Sequence, residues 1–160
     1  MRGTLLPNIE AVKANDDFSL HLKFRGRGRK SVNLEGFLAR DDYLAPLREP
    51  AMFRKVKVID WGAAVGWPGD IDLGASTLWH MAEEQKPFTS TDFVRWQRRV
   101  ELSNAEAADA LGLSLATIKN YRSGAGIPAS VAIACRAMAA EPTTLAAHYR
   151  PRRAGRPKAA

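Results

Sequence analysis

Polar and apolar residues alternate through much of the first eighty residues and then recur at helical spacing. The change predicts a sheet-rich half followed by a helical half. From Ser19 to Phe24, Leu20, Leu22 and Phe24 share one face of a strand, and Asn8 to Val12 alternates in the same way. Asn15-Asp16-Asp17 supplies turn chemistry between them. A third strand, Ser31 to Leu34, follows the glycine-rich connection Arg25 to Arg29. Glu35 to Leu47 reads as a short helix and a loop. Val56, Val58 and Ile59 mark a fourth strand and Ala64 to Trp67 a fifth, with Gly62, Pro68 and Gly69 as breakers. Ser76 to Glu84 reads as a helix with Leu78 and Met81 or Ala82 inward, and Gln85-Lys86-Pro87 as a linker.

From Phe88 the chain becomes alanine-rich and helical in period. Ser90 or Thr91 is placed to cap a helix in which Phe93, Trp96 and Val100 recur at i, i+3 and i+7. Ser103 and Glu106 form a capping box for a helix beginning at Asn104, with Ala107, Ala108 and Leu111 on one side. Gly112 is suited to the left-handed conformation that ends this helix in a sharp turn. Leu113 then turns inward, and Ser114 caps the next helix, anchored by Ile118 and Tyr121 and closed by Gly124. Pro128 fits the first turn of a fourth helix, along which Val131, Ala134, Cys135 and Met138 make an apolar stripe. The expected organisation is residues 1–86 as a β-rich α+β domain, 87–148 as a helical domain, and 149–160 as a disordered basic tail.

The segment from Asp92 to Pro142 resembles the Xre/λ-repressor-like helix-turn-helix family, especially its shortened antitoxin-type members. Leu102-Ser103, Ala108, Leu111-Gly112-Leu113-Ser114, Thr117-Ile118, Tyr121, Gly124 and Pro128 carry the resemblance. It implies an all-α domain whose second motif helix, residues 115–122, enters the major groove of double-stranded DNA. On that reading Leu115, Ala116, Thr117, Lys119 and Asn120 face the bases. Asn120 would pair with adenine, and Thr117 or Ala116 would touch a thymine methyl. Asn104, Ser114, Arg122 and Ser123 would hold phosphates. Leu115 and Ala116 stand where longer polar readers are common, and no arginine opens the helix. A second reading therefore stays open: a non-enzymatic protein-interaction or ligand-sensing module with a degenerate motif.

Residues 5–82 resemble a bacterial family of small β-rich domains of unknown function, sometimes joined to a helix-turn-helix and suspected of antitoxin roles. Leu6-Pro7, Ile9, Phe24, Leu34, Leu47, Phe53, Val56, Val58, Trp67-Pro68, Asp72-Leu73 and Leu78 carry that likeness. It implies an antiparallel sheet with one or two helices and almost no chemistry; in the two-domain chain this half is expected to bind a partner protein or to mediate homodimer formation.

Charge changes this picture only in part. The net charge is +7, yet residues 1–88 hold thirteen basic against twelve acidic residues, and residues 89–141 six against five. Residues 142–160 hold five basic residues and no acid, so backbone affinity for phosphates would draw on the tail. There, Gly155-Arg156-Pro157-Lys158 partly resembles an AT-hook, making Arg156 and Lys158 minor-groove candidates, with a nonspecific basic tail as the plainer reading. Arg25 to Lys30, RGRGRK, reads as a solvated hairpin tip in preference to a phosphate-binding finger.

The remaining chemistry is sparse. His21, His80 and His148 lack metal-ligand spacing, and the carboxylates at Asp41-Asp42, Asp70 and Asp72 sit in turn-like sequence, so no metal is expected. No nucleophile elbow, P-loop or dinucleotide fingerprint occurs, and neither an enzyme nor a cofactor is expected. Cys135 lies on an apolar stripe and reads as an inert buried thiol; one cysteine suits a reducing cytoplasm. No apolar run approaches the ~20 residues of a membrane span, and the N-terminus does not read as a signal peptide. The sequence thus points to a cytoplasmic, homodimeric transcriptional regulator that binds double-stranded DNA.

Overall fold

A computed structural model describes residues 5–151, which fall into two compact units that divide between Lys86 and Pro87. The α+β class expected from the sequence is the class observed: antiparallel sheets precede a helical region.

The first unit opens with β1 (Ile9–Ala14), β2 (Ser19–Phe24) and β3 (Gly28–Asn33), an antiparallel meander in the order β1-β2-β3. Leu20 pairs with Ala14 and Val32, and Leu22 with Val12 and Lys30, so the alternation of β2 puts Leu20, Leu22 and Phe24 into the core. A bulge between Ile9 and Ala11 shifts the register at the start of β1. In the β1–β2 turn, Asp17 Oδ1 accepts the Ser19 N–H at 3.0 Å and the Ser19 hydroxyl at 2.6 Å. α1 (Glu35–Arg40), a 3₁₀ stretch (Asp42–Arg48) and α2 (Pro50–Phe53) bring Leu38, Leu44, Leu47 and Phe53 to the same core. Each fully buried side chain of this kind contributes about 1.5–3 kcal/mol.

A second antiparallel sheet follows: β4 (Lys57–Ile59), β5 (Ala64–Trp67) and β6 (Ile71–Gly74). Trp67 stacks on Phe53 with centroids 5.9 Å apart, and its indole donates to the Phe53 carbonyl at 2.8 Å. α3 (Ala75–Glu84) closes the unit, burying Leu78 and Ala82. Between β4 and β5 the backbone is left-handed at three successive residues, Asp60 (φ 49°), Trp61 (φ 52°) and Gly62 (φ 94°). That conformation costs a non-glycine residue roughly 1–2 kcal/mol. The Asn8 amide holds it by donating to the Trp61 carbonyl at 2.8 Å.

Several element assignments differ from the sequence pattern. β3 begins at Gly28, not Ser31, because antiparallel pairing with β2 continues to the Phe24–Gly28 pair. β6 and α2 had no local signal. In β6, Asp72 is the exposed alternate of a strand defined by its pairing with β5, while Asp70 occupies the preceding turn with φ 57°. β4 does not include Val56.

The second unit comprises α4 (Ser90–Arg99), α5 (Asn104–Leu111), α6 (Leu115–Arg122), α7 (Ala129–Ala140) and α8 (Pro142–His148). The sequence suggested four helices; the fifth, α8, starts where Pro142 supplies a residue that needs no N–H in the first turn. Thr89, rather than Ser90 or Thr91, caps α4 in a reciprocal box with Asp92. Pro128 is the cap residue before α7 and not within it, its ψ of 149° being extended. Phe93, Trp96, Ala107, Ala108, Ile118, Tyr121, Val131, Cys135 and Met138 form the core of this unit. Ala134, expected on the α7 stripe, is only half-buried, and Ala132 is buried instead. Burial pushes the Cys135 thiol up to about 12, which leaves it protonated and unreactive at neutral pH. Among the described residues no helix is long and apolar enough to cross a membrane.

Candidate nucleic-acid interface

The α5–α6 pair is built by local sequence signals that act in order. Ser103 accepts the Glu106 N–H at 3.2 Å, and the Glu106 carboxylate accepts the Ser103 N–H at 2.7 Å. The Ser103 N–H and then its hydroxyl hold the Glu106 carboxyl below its usual range. Gly112 ends α5 at φ 65°, ψ 31°, and the Leu113 N–H reaches back to the Ala108 carbonyl at 2.9 Å. Ser114 restarts the helix by accepting the Thr117 N–H at 3.1 Å, with its hydroxyl 2.8 Å from that of Thr117.

Geometry then divides α6 into two sides. Ile118 and Tyr121 are buried, and Tyr121 meets Phe93 edge-on at 5.5 Å. At 100° per residue, Ala116, Lys119, Asn120 and Ser123 fall on the side opposite that anchor and Leu115 at one flank, and all are exposed. Thr117 is half-buried at the flank, its hydroxyl engaged by the cap. The Ser123 hydroxyl donates to the Lys119 carbonyl at 2.9 Å. Among the described residues, no side-chain hydrogen bond or ion pair engages the Asn120 amide or the Lys119 ammonium.

Asn104 and Arg122, which the sequence assigned to phosphates, share an internal partner. Gln97 on α4 is 4% exposed; its amide nitrogen donates to the Leu102 carbonyl at 3.0 Å and to Asn104 Oδ1 at 2.9 Å. Its oxygen accepts from Arg122 Nη1 at 2.6 Å. One buried amide thus ties the start of α5 to the end of α6, with Asn104 half-buried and Arg122 exposed. Sequence reading did not select Gln97. Its only signal is a polar residue next to Trp96 on the inner side of α4.

The basic cluster of the first unit is largely occupied internally. Lys30 and Arg27 lie over the Trp79 ring at 4.2 and 5.1 Å, and Lys30 also pairs with Glu83. Lys23 binds Glu10 at 2.7 Å, with Arg25 3.8 Å from the same carboxylate. Arg29 stays exposed. The RGRGRK tip is therefore partly a clamp on α3 and only partly the solvated tip expected from the sequence. Arg156, Lys158 and the disorder expected of most of the tail lie outside the described residues. Among the described residues no group of histidine, cysteine and carboxylate side chains is arranged to hold a metal ion.

Together these features describe an α+β protein in which a small antiparallel-sheet domain precedes a helical one with a two-sided α6. Residues 9–84 match the family model described as Protein of unknown function (DUF2442), a likeness that covers most of the first unit. No curated protein matches the chain. A solved structure from Nitrosomonas europaea, named "Putative DNA Binding Protein", is 28% identical, covering 86% of this chain and 90% of its own, with a TM-score of 0.49.

Proposed function

We propose that the protein is a sequence-specific regulator that binds double-stranded DNA through α5–α6, used as a helix-turn-helix, with α6 in the major groove. The observation that carries this reading is the division of α6. Ile118 and Tyr121 bolt one side to the core, while Asn120 and Lys119 project from the other without an internal partner among the described residues. A helix fixed this way presents its outer row at a set depth, as base reading requires. Asn120 has the bidentate amide that matches adenine, and Ala116 is short enough to approach a thymine methyl. The cap Ser114 and the α5 N-terminus at Asn104 supply phosphate-facing groups on either side of the turn. The regulator is non-enzymatic and cytoplasmic, and acts as a homodimer on paired half-sites. Its resemblance to antitoxin-type members favours autoregulation of its own operon, with the first unit free to meet a partner protein.

Fluorescence anisotropy on the gene's upstream duplex and on a random duplex, at two salt concentrations, tests this reading. The upstream duplex is expected to bind more tightly, and Asn120→Ala to weaken that preference by about 1–3 kcal/mol while sparing random-duplex binding. Equal affinity for both duplexes, or a preference untouched by Asn120→Ala, would favour the protein-interaction reading.

A further inference from the structure

Trp61 is 95% exposed and stands at the tip between β4 and β5. Its backbone is held at two points. The Asn8 amide grips its carbonyl, and Gly62 is pressed so closely to β1 that a Cβ there would lie 2.4 Å from the Ile9 carbonyl oxygen. An indole held out in a strained, left-handed conformation is pre-organised for contact, because little further freedom is lost on docking.

Beside the tip, the outer face of β4-β5-β6 is a hollow of about 580 Å³. Lys57, Gly66 and Asp72 lie in one register row across its three strands. Gly66 forms the floor, and a Cβ there would collide with Ile59 at 2.8 Å. Pro68 lines the end remote from the tip together with Trp67 and Ile71, which are only 6% and 4% exposed and belong to the core; Lys55 and Lys57 rim the β4 side, and Asp70 and Asp72 the β6 side.

We infer that this hollow receives Trp61 from a second copy of the chain, forming a two-fold dimer through the first unit. A two-fold axis lying across the strands sets the β5 strands of the two copies antiparallel, face to face. Each tip then falls over the Pro68 end of the other hollow. The same operation leaves β4 over β4, so the exposed Asp60 beside Trp61 comes to the side rimmed by Lys55 and Lys57, away from Asp70 and Asp72. The charges match under one symmetry operation, and the contact closes on itself, so it gives a dimer and not a chain. A two-fold dimer of first units carries two copies of α6, but its formation does not depend on α6 reading DNA.

The test is sedimentation velocity on the full chain without DNA, over a concentration series. The wild type is expected to show monomer–dimer exchange. Trp61→Ala is expected to raise the dissociation constant by roughly thirtyfold per indole, near a thousandfold for the two contacts. Trp61→Gly is expected to give the same loss while making the dilute monomer more resistant to urea, since glycine relieves the left-handed strain. That pairing separates lost docking from lost folding. Asp60→Lys and Lys57→Asp are each expected to weaken the dimer, and the double variant to recover it. A chain still monomeric above roughly 0.1 mM overturns the inference. So does a dimer indifferent to Trp61→Ala, or a double charge swap that recovers nothing. Because no duplex is present, failure here is distinct from failure of the DNA reading.

Discussion

Gln97 Oε1 accepts a hydrogen bond from Arg122 Nη1 at 2.6 Å, joining α4 to the end of α6 across twenty-five residues of sequence. The other end of the same amide binds the Leu102 carbonyl and Asn104, so all three of its contacts restrain the α5–α6 pair. Buried hydrogen bonds of this kind are costly to leave half made. Replacing the amide with a methyl-terminated chain strands a carbonyl, an Asn104 oxygen and a guanidinium N–H together.

Gln97→Leu is therefore expected to destabilise the second unit by about 1–3 kcal/mol, read as a lower urea midpoint with an unchanged slope. On the proposed function it should also weaken duplex binding beyond the loss of folded protein, because Arg122 and Asn104 lose a fixed position. A midpoint equal to the wild type would show that the network adds nothing to stability.

Local chemistry made much of this region readable in advance. The Ser103–Glu106 box, the left-handed Gly112 and the Ser114 cap each depend on residues within four positions of one another, and each has the expected geometry. Gln97 was not readable, because its meaning lies in partners seven and twenty-five residues away. Lys30 shows the same limit: a hairpin charge by sequence, it is fixed by Trp79 and Glu83 from a later helix. β6 is four residues long and becomes a strand only by pairing with β5. Nothing near Trp61 in the sequence announces a left-handed tryptophan; the constraint comes from Asn8, fifty-three residues earlier.

Two glycines separate conformational cost from steric cost. Gly112 (φ 65°) has nothing within 4 Å of a built Cβ, so Gly112→Ala should cost only the left-handed penalty, about 1–2 kcal/mol. Gly62 (φ 94°) carries the same kind of penalty, but its Cβ would also meet the Ile9 carbonyl at 2.4 Å and Asn8 Oδ1 at 2.5 Å. The overlap should add about 1–3 kcal/mol, and the tip must move to relieve it. Thermal or urea unfolding of the two variants checks the order; equal losses would mean that the Gly62 approach is not held in solution.

Glu83 couples the first hairpin to α3 and gives the first unit an acid-sensitive contact. Burial alone would raise its carboxyl, but hydrogen bonds from Lys30 and Lys86, with their charges, outweigh that and hold it below its ordinary value of 4.5. A lowered carboxyl contributes stability that is fully present above 4.5 and is lost as pH falls through the depressed value. Lys30 is only 10% exposed in its side chain, whereas Glu83 is 38% exposed, so solvent screens part of the attraction. Glu83→Gln should accordingly cost about 1 kcal/mol at neutral pH. The deficit should shrink as pH falls below 4.5, where the wild type protonates and loses the same interaction. Urea midpoints of both proteins across that range decide the matter. A deficit that stays constant into acid would assign the loss to packing of the side chain and not to its charge.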